Sequence, residues 1–142
     1  MKVRQLSVFM ENKPGNLNDI LHVFATSDIN IVSLTVADTD EYGIVRLLVS
    51  EPEKAQEKLR EKQFTVRIHD VFALEMEPQS GSLYRILEHF AEATISMEYV
   101  YAFSYGSKSI VVFRADNQEK AVEVIRSNRL KSIREEDLKT TY

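Results

Sequence analysis

The residues best placed to do chemistry form one stretch, Met10-Glu11-Asn12-Lys13-Pro14-Gly15-Asn16-Leu17, where a strand-like pattern stops and an amphipathic helix pattern begins. Proline fixes φ and glycine accepts φ > 0 without steric cost, so Pro14-Gly15 makes a sharp strand-to-helix break. Such a break leaves backbone N–H groups without partners, and a small anion such as an α-carboxylate can be held there. The stretch recurs in altered form as Met76-Glu77-Pro78-Gln79-Ser80-Gly81-Ser82-Leu83. Catalytic alternatives are thin. The histidines are His22, His69 and His89, and none is set at metal-ligand spacing from another histidine or a carboxylate. His22 and His89 read as half-exposed helix residues, and His69 beside Asp70 as the end of a strand. There is no phosphate-binding glycine loop, dinucleotide fingerprint or nucleophile elbow. Asp38-x-Asp40-Glu41 lacks the glycine and distal glutamate of an EF-hand loop and reads as a solvated hairpin. The expectation is a binding protein and not an enzyme, with no metal and no cofactor.

Composition narrows the class further. A chain of 142 residues makes one domain or two very small ones. A net charge of −4 argues against general nucleic-acid binding, which needs a basic surface. The chain has no cysteine, which excludes disulfides and thiolate metal sites and suits a reducing compartment. No apolar run approaches the roughly 20 residues that a membrane span needs, and the N-terminus has no signal-peptide pattern. A cytoplasmic protein is the expectation.

These turns must be positioned by the elements around them, and those elements are duplicated. A shift of 66 positions carries Glu11 onto Glu77, Gly15 onto Gly81 and Leu17 onto Leu83 without a gap. Ile20, Leu21, Phe24 and Ala25 fall on Ile86, Leu87, Phe90 and Ala91, and Ile44-Val45 on Ile110-Val111. In the first repeat, residues 2–10 read as a strand, with Asn16 as N-cap of a helix whose apolar face is Leu17, Ile20, Leu21 and Phe24. A second strand follows from Ile29 to Val36, then a polar hairpin, a third strand from Ile44 to Val49, a helix from Glu51 to Glu61 and a fourth strand from Phe64 to Asp70. The order β-α-β-β-α-β is the ferredoxin-like split unit. The fold class expected is therefore α+β, two tandem repeats over 1–70 and 71–142 with antiparallel sheets and no linker between them. In the second repeat, Tyr99, Tyr101 and Phe103 stripe the sheet face away from the helices, where the first repeat has Ser33, Thr35 and Ala37. That stripe suits either a contact with another subunit or packing within the chain.

The strand, the Glu11-to-Leu17 turn, the helix and the Ile29-Asn30-Ile31 strand entry together resemble an ACT domain, whose pattern is a Pro-Gly-x-Leu turn followed by a helix and an Ile-Asn-Ile entry. The whole chain resembles a tandem ACT protein with no catalytic domain attached. The second repeat departs at Ser80, in place of the proline, and at Ser96, in place of the asparagine. The resemblance implies a non-catalytic regulatory module that binds a free amino acid at the first loop and the start of the second strand, at an interface between two ACT units. It also implies a homodimer, and a regulated enzyme as a separate partner. In the serine-binding type, polar side chains stand at the places of Met10, Asn12 and Asn30. Here both asparagines are kept, while Met10 replaces a histidine and leaves the ligand's identity open. The implied site is Met10, Asn12, Pro14, Gly15, Asn16 and Leu17 with Asn30 and Ile31. Backbone N–H groups of Gly15, Asn16 and Leu17 would take the carboxylate, and the asparagine amides can serve either an ammonium or a carboxylate. The second-repeat counterpart is either degenerate or lined differently, by Glu77, Gln79, Gly81, Ser82 and Leu83 with Ser96. Read without the resemblance, Asn12 is a turn residue and Asn30 a helix C-cap. The alternative function is an assembly module that has kept the fold and lost the ligand.

Overall fold

The computed structural model describes residues 2–39 and 41–138. Asp40 of the expected hairpin loop lies outside the described residues. The elements are β1 (Lys2–Glu11), α1 (Asn16–Thr26), β2 (Ile31–Asp38), β3 (Tyr42–Val49), α2 (Pro52–Glu61), β4 (Thr65–Met76), α3 (Ser82–Glu92), β5 (Met97–Tyr105), β6 (Lys108–Ala115) and α4 (Gln118–Ser127), closed by a 3₁₀ turn at Glu135–Leu138. The ferredoxin-like α+β reading holds. No described helix is long and apolar enough to cross a membrane.

Two compact units divide the chain. One holds residues 4–70 with 136–138, the other residues 71–135 with 2–3. In the first unit the hydrogen-bonded strand order is β2-β3-β1-β4, and in the second β4-β6-β5. The fourth strand, expected from Phe64 to Asp70, runs on without a break to Met76 as β4. Nothing between Thr65 and Met76 is a glycine or proline, so no residue there breaks the extended backbone. His69 consequently lies within a strand and not at its end. After α4 the chain makes only a bridge between Leu74 and Ser132, with Glu75 N–H donating to Lys131 O and Ile133 N–H to Ala73 O, both at 2.8 Å.

The repeat extends to register. Leu6 pairs Leu47 and Val8 pairs Val45 in the first unit. Their counterparts, Phe72 with Phe113 and Leu74 with Val111, pair in the second. The irregularity between Ile31 and Ser33 in β2 recurs between Met97 and Tyr99 in β5. Each unit has its own core. Leu6, Phe24, Leu47, Ala55 and Leu59 centre the first. Phe72, Phe90, Phe113, Ala121 and Ile125 occupy the same places in the second. There Phe113 meets Phe72 at 5.4 Å and Phe90 edge-on at 4.9 Å between ring centroids. Fully burying a side chain of this size contributes about 1.5–3 kcal/mol, which matters in units so near the lower size limit for a stable core.

Burial departs from simple alternation in two strands. Gln5 and Ser7, the polar residues alternating with the core positions of β1, are 0% and 4% exposed, so β1 is covered on both faces. Leu34 and Val36, opposite in parity to Ser33, Thr35 and Ala37, are 38% and 40% exposed on β2, which ends the strand order. Tyr99, Tyr101 and Phe103 are half-buried along β5.

All four helices close alike. A residue in the left-handed region follows each: Asp28 (φ 56°), Gln63 (69°), Thr94 (58°) and Arg129 (52°). The next N–H then reaches back to the carbonyl five residues earlier, as in Ile29 to Phe24 at 3.1 Å and Ile95 to Phe90 at 2.9 Å. This is the Schellman closure, and its apolar contact is supplied by those same core pairs. Thr94 is the β-branched member, and left-handed backbone costs such a residue most. Thr94→Asn should therefore stabilise the chain by about 1 kcal/mol and raise Tm by roughly 2–4 °C in thermal denaturation. An unchanged or lower Tm would show that Thr94 bears no such cost.

Candidate ligand site at the strand-to-helix turns

Each turn begins with a glycine that only a left-handed backbone can place. Gly15 has φ 89° and ψ −16°, the i+2 position of a type II turn whose i+1 residue is Pro14. Asn16 N–H donates to Lys13 O at 3.2 Å to close it, and Asp19 N–H donates to Gly15 O at 2.9 Å to start α1. Gly15, and not Asn16, is thus the N-cap, and it caps without a side chain. Asn16 turns its amide backwards and donates to Glu11 O at 2.7 Å. Lys13 reaches Glu11 at 2.7 Å. The hydrogen bond from Lys13, then its charge, hold the Glu11 carboxyl below its ordinary range and raise Lys13 in turn. The pair is fully exposed and solvent screens it.

Of the three N–H groups assigned to a carboxylate, that of Asn16 is occupied by the turn. Those of Gly15 and Leu17 have no acceptor among the described residues. The second turn repeats this arrangement. Gly81 has φ 87°. Ser82 N–H donates to Gln79 O at 3.2 Å and Arg85 N–H to Gly81 O at 3.0 Å. Here a cavity of about 470 Å³ opens against the loop, lined by Met76, Glu77, Gln79, Gly81, Ser82 and Leu83 with Ser109 from β6. Glu77, Gln79 and Ser82, the polar residues assigned to this loop, do face one cavity.

The asparagines fare differently. Asn12 is anchored at the far end of the β2–β3 hairpin. Its N–H donates to Glu41 O at 2.9 Å and its Nδ2 to an Asp38 carboxylate oxygen at 3.1 Å. Asn30 precedes the opposite end of β2. Its N–H donates to Ser50 Oγ at 3.1 Å, and its carbonyl accepts from Ser50 N–H at 3.0 Å. It is not a helix C-cap, since Ser27 and Asp28 finish α1. About 25 Å of strand separates the two asparagines, so one copy of the unit does not bring them together. Ile31 stays with Asn30, and Ser96 repeats Asn30's bonding against Asp116. Met10 packs on the first core and lies over Gly43, so its side chain offers the loop no polar group. Asp38 was read only as part of a solvated hairpin. Its contact with Asn12 depends on β3 lying between β2 and β1, which no local motif announces.

A family model described as an ACT domain pair matches residues 1–142. The chain belongs to that family. This ACT domain pair is similar to protein BT0572 from Bacteroides thetaiotaomicron, with 33% identity over 99% of this chain and 98% of that one and a TM-score of 0.92. It also shares its fold with the ligand-free regulatory subunit of aspartate kinase from Thermus thermophilus, at 12% identity, 87% and 91% coverage and a TM-score of 0.61. The alpha and beta subunits of an aspartokinase share the fold too, at 18% identity, 87% and 90% coverage and a TM-score of 0.55. No curated protein matches it.

The two turns of the ACT domain pair should respond alike to the same substitution. A Cβ on Gly15 meets nothing within 4 Å, and on Gly81 it lies 3.0 Å from a guanidinium nitrogen at the end of the exposed Arg85 side chain, which can swing aside. Gly15→Ala and Gly81→Ala should therefore each cost about 1–2 kcal/mol in denaturant unfolding, from left-handed backbone strain. An unchanged stability in either variant would show that its turn bears no such strain.

Proposed function

We propose that this ACT domain pair is a non-catalytic sensor of a free amino acid, with the ligand held where the Asn12 loop of one copy meets the Asn30 end of β2 in a second copy. The observation that carries the reading is the placement of the two asparagines at opposite ends of a strand whose outer edge has no partner strand among the described residues. From Ile31 to Ala37 that strand has no charge and no proline, the usual protections of a free edge, and Ile31, Leu34 and Val36 are exposed. An antiparallel, two-fold pairing of β2 with its copy would set each Asn30 beside the partner copy's Asn12 loop. There the N–H groups of Gly15 and Leu17 suit a carboxylate, and Asp38 suits an ammonium. Ligand binding would favour the paired arrangement by its differential affinity, and a separate enzyme in the cytoplasm would receive the output. The competing reading, an assembly module without a ligand, draws on Met10, which packs on the core where the serine-binding type has a polar group.

A thermal-shift panel of the twenty amino acids separates the two readings. A ligand at about 100 times its Kd adds about 2.7 kcal/mol, a shift of several degrees. Asn12→Ala and Asn30→Ala should each abolish the part of the shift that comes from this site, without lowering the unliganded Tm. Mixing the two variants and allowing exchange should restore about a quarter of the binding capacity, because the mixed dimer regains one intact site. A flat panel on ligand-free protein favours the assembly module. Failure to recover on mixing places the site within one copy.

A further inference from the structure

The second unit holds another cavity, of about 320 Å³, between α3 and the stretch that follows α4. Arg85, Arg129 and Lys131 line it, with His89, and two carboxylates, Glu75 and Glu77, face the same space. Met76, Ile86 and Leu130 give it an apolar floor. The first unit makes the same fold without this charge. Its residues at these places are Asp19, Gln63 and Thr65 for the three cations, Val23 for His89, and Phe9 and Glu11 for the carboxylates. The formal charge at the six places is −2 in the first unit and +1 in the second, in a chain whose net charge is −4. Folding does not explain the change. Gln63 makes the same left-handed helix ending as Arg129, and Lys131 enters the backbone bonding through its carbonyl, which accepts from Glu75 N–H.

The cations are held and partly spoken for. The Arg85 guanidinium lies back over Gly81 and donates to Ser82 Oγ at 3.3 Å, and Ser82 is only 6% exposed. Lys131 meets Glu75 at 3.5 Å. The Arg129 guanidinium has no partner among the described residues. That leaves two guanidinium groups for carboxylates, which they bind in a planar, two-bonded geometry. One exposed carboxylate, Glu77, remains for an ammonium.

We infer that this cavity binds an acidic α-amino acid, with its two carboxylates at Arg85 and Arg129, its ammonium at Glu77 and its methylene groups on the apolar floor. A compact ligand bearing two negative charges and one positive matches the lining in sign and number. The site is separate from the Asn12–Asn30 site and does not need a second copy.

Isothermal titration of the full chain with L-glutamate, L-glutamine, succinate and inorganic phosphate tests it. L-glutamate should bind, and each of the other three should bind at least about tenfold more weakly, because each leaves a charge in the cavity unmatched. Arg129→Gly should weaken L-glutamate by at least about tenfold while holding or raising Tm, since glycine suits the left-handed backbone there. L-glutamate should still bind to Asn12→Ala, in which the Asn12–Asn30 site is disabled, so the two sites fail independently. No heat with L-glutamate, equal affinity for succinate or phosphate, or an unaltered Kd in Arg129→Gly would each overturn the inference.

Discussion

Each unit depends on the register between its first and third strands. Leu6 faces Leu47 and Val8 faces Val45 in the first unit, with Phe72 facing Phe113 and Leu74 facing Val111 in the second. A slip of one residue would move every core side chain of the strand to the other face. The same register carries Met10 to Gly43 and Glu11 to Tyr42, which brings the strand-to-helix turn against the β2–β3 hairpin. The bonds from Asn12 to Glu41 and Asp38 follow from that alignment. Core packing and site geometry are thus two results of one pairing.

Duplication preserved the backbone and released the side chains. Turn hydrogen bonds, left-handed positions and helix closures recur between the units almost residue for residue. A left-handed glycine or a six-residue helix closure is set by local sterics and hydrogen bonding, and neither depends on which polar groups surround it. Chemistry around the turns could therefore diverge at little cost to folding. Where the first unit has Asn12, Asn30 and Asp19, the second has Pro78, Ser96 and Arg85. One unit presents amides beside a carboxylate at a sheet end. The other presents guanidinium groups over a cavity within the unit.

The role of β2 illustrates why a strand's place in the sheet outweighs its own sequence. Leu34 and Val36 carry the alternation of a half-buried strand, yet they are exposed because β2 has a neighbour on one side only among the described strands. Gln5 and Ser7 look like solvent-facing residues, yet they are buried because β1 is central. Burial on a sheet is decided by neighbours, and alternation reports only which residues share a face.

The sequence by itself determined the duplication, the order of elements, the α+β class and the two glycine turns. All of these rest on local periodicity or on a residue's own backbone preferences, and self-alignment at one offset needs no three-dimensional knowledge. Even so, Asn16 read as the helix cap, because a cap is defined by dihedral angles that Gly15 alone could adopt. Only the tertiary structure decided that β4 is continuous, that Asn12 bonds Asp38, that Asn30 stands about 25 Å away, and that Arg85, Arg129 and Lys131 share a cavity. Those facts join residues distant in the chain through strand order and helix packing. Such contacts leave no spacing or periodicity in a single sequence from which they could be read.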